Sequence, residues 1–160
     1  MIKLTEIRQP IIRGLRSYTG AKAVVMADSA GKQPEYPFIT IKFTLTGEGA
    51  GQVIDSFDSK AETQTTEQDM EMVMSVTCLG DDVAIAHDLA HKARAYFLGK
   101  GHLELADEHI TVVDVMSITN RDVFLNIEYE RRYGFDVRLR VRGRDTYAIE
   151  VIEKVNIQEG

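Results

Sequence analysis

This chain has almost no cysteine, no tryptophan, and fewer positively than negatively charged residues. Cys78 is the only cysteine and tryptophan is absent. A lone cysteine excludes an intramolecular disulfide and makes a reducing cytoplasm the simplest compartment. No apolar run approaches the roughly 20 residues of a membrane-spanning helix, and no signal-peptide pattern is visible at the N-terminus. Because 19 Lys and Arg face 25 Asp and Glu, the formal net charge is -6. This balance argues against a dedicated nucleic-acid-binding protein, although a local basic stripe can hide in an acidic average.

The remaining composition is that of an ordinary globular protein, 44% hydrophobic and 28% charged over 160 residues. A chain of this length fits one domain, residues 1–160, with enough apolar side chains to bury a core.

Hydrophobic periodicity predicts two helices and several strands. Helical spacing occurs over residues 3–18, where Pro10 is expected to kink the helix or start a shorter one. It occurs again over residues 82–98, where Gly80-Asp81-Asp82 is expected to cap the start of the helix. Alternation predicts strands over residues 22–27, 38–46, 69–79, 110–118 and 123–130. The predicted fold class is α+β, a mostly antiparallel sheet with two main helices packed on one face.

The most regular alternation lies near the C-terminus. Phe135, Val137, Leu139 and Val141 point to one face, and residues 136, 138, 140 and 142 to the other. A second run, residues 146–152, follows a short polar stretch. A three-residue turn at 143–145 keeps each face chemically consistent, whereas a two-residue turn does not. The pattern therefore predicts a long C-terminal β-hairpin that places Arg138 beside Glu150.

Residues 47–68 form a long polar segment that the pattern assigns to no strand or helix. Glycines open it, and three apolar residues follow; these six are Gly47, Gly49, Gly51, Val53, Ile54 and Phe57. A loop of this length inside a compact domain is usually functional or disordered. Two interpretations stay open: a flexible arm that orders on a partner during assembly, or a passive surface loop.

Enzyme-like patterns are weak. His87 and His91 share a helical face and both can reach one metal ion. Asp88 stands where a zinc peptidase has glutamate, however, and no third ligand follows at the usual spacing. The glycine-rich run at 47–51 lacks the lysine of a phosphate-binding loop, and Cys78 alternates with core residues. The sequence therefore predicts no catalytic, metal-binding or cofactor-binding residue, no cofactor, and a protein that is not an enzyme.

An arginine-rich stripe is the main anomaly in this acidic chain. It contains Arg131, Arg132, Arg138, Arg140, Arg142 and Arg144. Three interpretations compete: a solvated sheet face balanced by nearby glutamates such as Glu150, a charge-complementary protein interface, and a nucleic-acid-binding module over residues 131–144. The acidic total charge and the absence of tryptophan weigh against nucleic acid as the primary partner.

Three stretches also carry a family resemblance. They are the run from Tyr36-Pro37-Phe38 to Phe43 with the polar segment after it, the helix over 82–98 with Ala90, Ala93, Arg94 and Tyr96-Phe97, and Asn120-Arg121-Asp122 with the string from Tyr129-Glu130-Arg131-Arg132-Tyr133-Gly134 to Arg140. Together they resemble the neck-terminator and tail-terminator (tail completion) proteins of contractile-tailed phages, prophages and phage-like bacteriocins.

The resemblance implies a structural protein that assembles in the bacterial cytoplasm and resides in the tail or neck of a virion or phage-like particle. Such proteins form a ring, typically a hexamer, on the head-proximal end of the tail tube. The ring ends polymerisation of the tube, and often of the sheath, and meets the neck or head connector. The expected partners are therefore other copies of the chain, the tail tube protein, the sheath protein and the neck or head-completion protein, with no membrane involved. We expect the arginine stripe and Glu150 to line a subunit or tail-tube interface.

Overall fold

The computed structural model describes residues 2–123 and 130–150. Within them lie three helices: α1 (Leu4–Thr19), α2 (Val83–Leu98) and α3 (Lys100–Asp107). The strands are β1 (Val24–Met26), β2 (Phe38–Asp58), β3 (Thr63–Gly80), β4 (Thr111–Val115), β5 (Thr119–Asn120) and β6 (Arg131–Ala148). The α+β prediction is confirmed. The strand predicted over 123–130 falls almost wholly outside the described residues.

One sheet connects these strands in the order β1-β2-β3-β6-β4, and β5 also pairs with β6. β1 runs parallel to β2, whereas the β2–β3, β3–β6 and β6–β4 pairs are antiparallel. Three long strands, β2, β3 and β6, therefore form the centre of the sheet.

The core lies between one face of this sheet and the helices. Ile7, Ile11 and Leu15 form the buried stripe of α1, as their spacing predicts. On the sheet, alternate residues of β3 meet alternate residues of β6: Met72 opposes Leu139, Met74 opposes Val137 and Val76 opposes Phe135. All of these side chains are buried in one hydrophobic cluster. The face that each residue presents was therefore predicted correctly for α1, β3 and β6.

Both predicted helices form, with differences in detail. Pro10 lies inside α1, which nevertheless runs unbroken from Leu4 to Thr19 and ends at Gly20 with φ of 70°. α2 buries Ala86, Leu89, Ala93 and Phe97, whereas the side chain of Ile85 is exposed. Asp82 is the N-cap residue of α2, within the predicted cap, but its side chain makes no hydrogen bond to the free amides at the start of the helix. The region 102–109, which the sequence left unassigned, contributes to α3.

The predicted position of the C-terminal hairpin is wrong. β6 continues through residues 143–145 without a turn and pairs along its whole length with β3. Arg144 lies opposite Glu67 and Gly143 opposite Gln68, so these residues are strand rather than turn. The residues that would complete the second hairpin strand, 151 and 152, lie outside the described part of the chain.

The prediction of a loop over 47–68 is also wrong. β2 runs on to Asp58, turns, and returns as β3 from Thr63. The pairing contains register shifts, the largest between Ala50 and Ile54. Glycine in a strand often marks such a bulge, which explains how this glycine-rich segment stays in the sheet.

These strands are too long for the helices to cover. At about 3.3 Å per residue, the 18 residues of β3 span about 60 Å. The 16 residues of α2 span about 24 Å at 1.5 Å per residue. The excess forms a three-stranded extension, which we define as residues 48–58 of β2, 63–71 of β3 and 140–148 of β6. Residues 51–62 are exposed throughout.

Candidate functional site

The outer face of the sheet, opposite the helices, carries a ladder of ion pairs between β6 and β3. Arg138 Nη1 lies 2.9 Å from Glu71 Oε2, and Arg140 Nη2 lies 2.7 Å from Glu71 Oε1. Arg142 contacts Asp69 at 3.1 Å and Glu67 at 3.2 Å, and Arg144 Nε lies 2.9 Å from Glu67 Oε1. The sequence folds this way because residues at every second position share a face and the antiparallel register sets acids opposite arginines.

The ladder shifts the pKa values of two of its side chains, Glu71 and Arg142. Hydrogen bonds from Arg140 and Arg138 lower the pKa of Glu71 below its ordinary value. The hydrogen bond to Asp69 raises the pKa of Arg142. Both shifts favour the charged forms of these two side chains.

The other two predicted arginines lie at the far end of β6, away from the extension. Arg132 Nε donates to Glu130 Oε1 at 2.6 Å, and Glu130 is buried. Tyr36 Oη donates to the second oxygen of Glu130 at 2.7 Å. Burial, and then the hydrogen bond to Glu130, raise the pKa of Tyr36. Arg131 Nη1 lies 3.6 Å from Asp122 Oδ2. The structure therefore divides the predicted arginine stripe into a pair near the body and a ladder toward the extension.

Glu150 does not have its predicted partner. The guanidinium of Arg138 contacts Glu71 on β3 instead, and Glu150 is exposed at the end of the described chain. The carboxylates that balance the stripe come mainly from β3, which the sequence reasoning did not identify. A signal was present: Glu67, Asp69 and Glu71 alternate with the same period as the arginines, which is typical of strands that pair face to face.

The ladder weakens the nucleic-acid interpretation. Each arginine of the predicted stripe contacts a carboxylate of its own chain. Phosphate binding draws its affinity from basic side chains that neutralise the backbone and release counterions. Here the neutralising charges are already supplied by neighbouring strands.

The predicted arm residues lie on β2 within or just before the extension. Gly51 has φ of 90°, in the region that favours glycine, and accepts a hydrogen bond from Gln68 Nε2 at 3.1 Å. Gly47 and Gly49 pass close to Met70 and Gln68 of β3. Val53, Ile54 and Phe57 are each about half exposed. Val53 also lines a groove of about 360 Å³ with Ile2, Met70, Gly143 and neighbouring polar residues.

Arg121 links two strands of the sheet, a role that was not predicted from the sequence. Its guanidinium donates to Ser75 Oγ at 2.5 Å, to Thr77 Oγ1 at 3.1 Å and to Asp136 Oδ1 at 3.1 Å. It thereby joins β3 to β6 across the outer face. No periodicity could reveal it, because Arg121 lies in a segment that reads as a turn.

Among the described residues, the structure brings no third metal ligand to the pair formed by His87 and His91. The rings of His87 and His91 lie 4.3 Å apart, and both residues are exposed. No group of three or more His, Cys, Asp or Glu suited to a metal ion occurs in residues 2–123 and 130–150. Cys78 is fully buried, as its alternation predicts, and burial raises the pKa of its thiol to about 12.

The described residues form an α+β body with an extension of paired strands that the helices do not cover. The arginines of this extension contact carboxylates of the chain itself. In the part of the chain that the structure describes, no helix has the length and apolarity needed to span a membrane.

Comparison with known proteins identifies the family of this chain. A family profile described as "Phage neck terminator protein" matches residues 9–160. The chain belongs to this family and has a structural role in the neck or tail of a phage-like particle. Among solved structures, a chain from "Virion of native gene transfer agent (GTA) particle" is similar, with 17% identity, a TM-score of 0.38, and 87% of this chain and 90% of that chain covered. No curated protein matches the sequence.

Proposed function

We propose that this protein caps the head-proximal end of a tail tube as a ring, in keeping with the hexamers of the tail terminators that it resembles. The ring ends polymerisation of the tube and sheath and presents a surface to the neck or head connector. The match to the neck terminator family over residues 9–160 carries this proposal.

The extension supports the proposal because a cap must contact several neighbours at once. In a closed ring each subunit uses two different patches that match one another. Val53, Ile54 and Phe57 are about half exposed on this extension. Neighbouring exposed apolar side chains are typical of surfaces that another protein covers. We therefore assign the extension to contacts with a neighbouring subunit or the tube.

The arginines enter this function in two ways. Toward the strand β3 they bind carboxylates and hold β6 in register. Their outer surfaces stay accessible, since the side chain of Arg142 is 47% exposed and that of Arg144 is 64% exposed. We propose that this accessible rim of the ladder contacts the neighbouring subunit or tube protein, together with Arg131 and Arg132 nearer the body and Glu150 at the tip of the extension.

Electron microscopy of the cognate tail tube protein, polymerised with and without this chain, tests the proposal. We expect tubes of limited length with a ring at one end, and the ring's symmetry can be counted directly. Tubes of unchanged length without a bound ring would overturn the proposal.

Two variant proteins test whether tube capping depends on the extension. Val53→Ser with Phe57→Ser removes exposed apolar surface there without touching the core. Leu103→Ser is the matched control, because Leu103 is 69% exposed on α3. We expect both proteins to fold, the control to cap tubes normally and the extension variant to lose capping. Equal capping by the two would show that the extension is a passive surface.

A further inference from the structure

The extension has two open sheet edges. β1 pairs with β2 only at residues 39–41, so the outer side of residues 48–58 meets no described strand. β4 and β5 pair with β6 only up to Arg140, so the outer side of residues 141–148 likewise meets none of the described strands. An open edge presents a row of unpaired N–H and C=O groups that can bind another strand.

Part of each edge is regular enough to accept a strand. The register shifts in β2 end at Ile54, and Ile54 to Asp58 pair without interruption with Glu67 to Thr63. On the other side, β6 pairs without a shift from Arg131 to Ala148. Neither residues 54–58 nor residues 141–148 contain proline or lysine, two residue types that commonly block edges.

The two edges carry opposite charge. Residues 43–58 of β2 contain three carboxylates, Glu48, Asp55 and Asp58, and no lysine or arginine. Residues 138–148 of β6 contain four arginines and one aspartate. Although β3 between them neutralises much of the ladder, the charge is still distributed from positive at the β6 edge to negative at the β2 edge. The β6 edge is thus complementary to the β2 edge and repels its own kind.

Apolar side chains at the two edges lie in one row. Phe57 opposes Gln64, and Gln64 opposes Tyr147. Residues directly opposite one another share a face, so Phe57 and Tyr147 project from the same side. Their exposed fractions are 51% and 45%. Extensions placed side by side would bring Tyr147 of one copy beside Phe57 of the next.

We propose that residues 141–148 of one copy bind residues 54–58 of a second copy by strand addition, joining the extensions head to tail. β2 and β6 both run antiparallel to β3 and hence parallel to each other. Copies with aligned extensions therefore join by a parallel strand pair. The inference rests on the proposed ring and names the contact that closes it.

Disulfide trapping between two single-cysteine variants tests this contact. In a Cys78→Ala background, one protein carries Ser56→Cys on β2 and the other carries Thr146→Cys on β6. Both positions are exposed and oppose Thr65 on the same face of the extension. After mild oxidation of a mixture assembled with tail tube protein, we expect a cross-linked dimer that neither variant forms alone. Ser56→Cys mixed with Leu103→Cys on α3 serves as the control and should stay uncross-linked.

The outcomes separate this inference from the proposed function. Capped tubes without a mixed cross-link, also after moving the cysteines through residues 54–58 and 142–148, would overturn strand addition and leave capping intact. A mixed cross-link without caps would support strand addition and overturn the capping role. Cross-linking of Ser56→Cys with itself would indicate a two-fold contact between β2 edges and contradict the head-to-tail order.

Discussion

Gly134 provides the sharpest test of how β3 and β6 are held together. A Cβ atom built on this residue would lie 2.5 Å from the backbone oxygen of Val76, 2.8 Å from Arg121 Nη1 and 2.9 Å from Arg121 Cδ. Real Cβ contacts essentially never fall below 3.0 Å. Because Arg121 is itself held by Ser75, Thr77 and Asp136, neither neighbour can move freely. Gly134→Ala should therefore destabilise the protein.

The magnitude follows from two opposing effects. Overpacking at a site that cannot relax costs about 1–3 kcal/mol. Replacing glycine within a strand recovers about 0.5–1 kcal/mol of backbone entropy. The net loss is at most about 2.5 kcal/mol, and the midpoints of the two ranges leave about 1 kcal/mol. For a chain of this size a loss of about 1 kcal/mol lowers Tm by about 2–4 °C.

Gly143→Ala is the matched control for this prediction. Gly143 lies in the same strand, and a Cβ there would meet Ile2 Cγ1 and Met70 Cγ at an ordinary 3.5 Å. Neither glycine has a positive φ, so backbone strain does not distinguish them. In thermal unfolding followed by circular dichroism, we expect Gly134→Ala to melt below the native protein and Gly143→Ala to melt at the same temperature or slightly above it. Equal melting temperatures would refute the tight packing of Arg121 over Gly134.

Three further changes test other parts of the structure. The lowered pKa of Glu71 means that its carboxylate stabilises the ladder above its ordinary pKa of 4.5. This stabilisation is lost as pH falls through the lowered pKa, so the protection factors for amide exchange over 138–142, which correct for the intrinsic pH dependence of exchange, should fall there, and Glu71→Gln should remove that fall. With a pKa of about 12, buried Cys78 should react with thiol reagents at neutral pH only after unfolding, and fast native labelling would contradict its burial. Leu139→Ala, at a fully buried site, should lower the free energy of unfolding by about 2–5 kcal/mol, as measured by urea titration. A loss below about 0.5 kcal/mol, the lower end for Ile→Val in a core, would place Leu139 outside the core.

Side-chain periodicity was sufficient to predict which face α1, β3 and β6 bury. The four-residue spacing of Ile7, Ile11 and Leu15 and the alternation from Phe135 to Val141 correspond directly to buried positions. Such patterns report the environment of a side chain one element at a time. For this reason the fold class, the core face and the burial of Cys78 could all be predicted from the sequence.

Strand partners were harder to predict because alternation fixes a face but not a neighbour. Residues 135–142 satisfy the same pattern whether they pair with 146–152 or with β3. The local hairpin has the shorter loop, but β3 offers Glu67, Asp69 and Glu71 opposite the arginines. Bulges are similarly hidden: the shift between Phe43 and Leu45 moves Leu45 off the core face that simple alternation assigns to it.

The ladder also explains how an extension with open edges can exist before assembly. A long uncovered sheet with apolar side chains on both faces would associate without selectivity. In this chain ion pairs such as Arg140 with Glu71 occupy most of the outer face of the extension, where Ile54, opposite Glu67, adds exposed apolar surface. The exposed aromatic side chains of the extension, Phe57 and Tyr147, lie on the other face. Internal neutralisation keeps the arginines from attracting arbitrary anions, while the residual polarity from the β6 edge to the β2 edge still favours one order of association. The same side chains that hold β3 and β6 in register thus restrict which partner the extension accepts, and the proposed ring requires such a restriction.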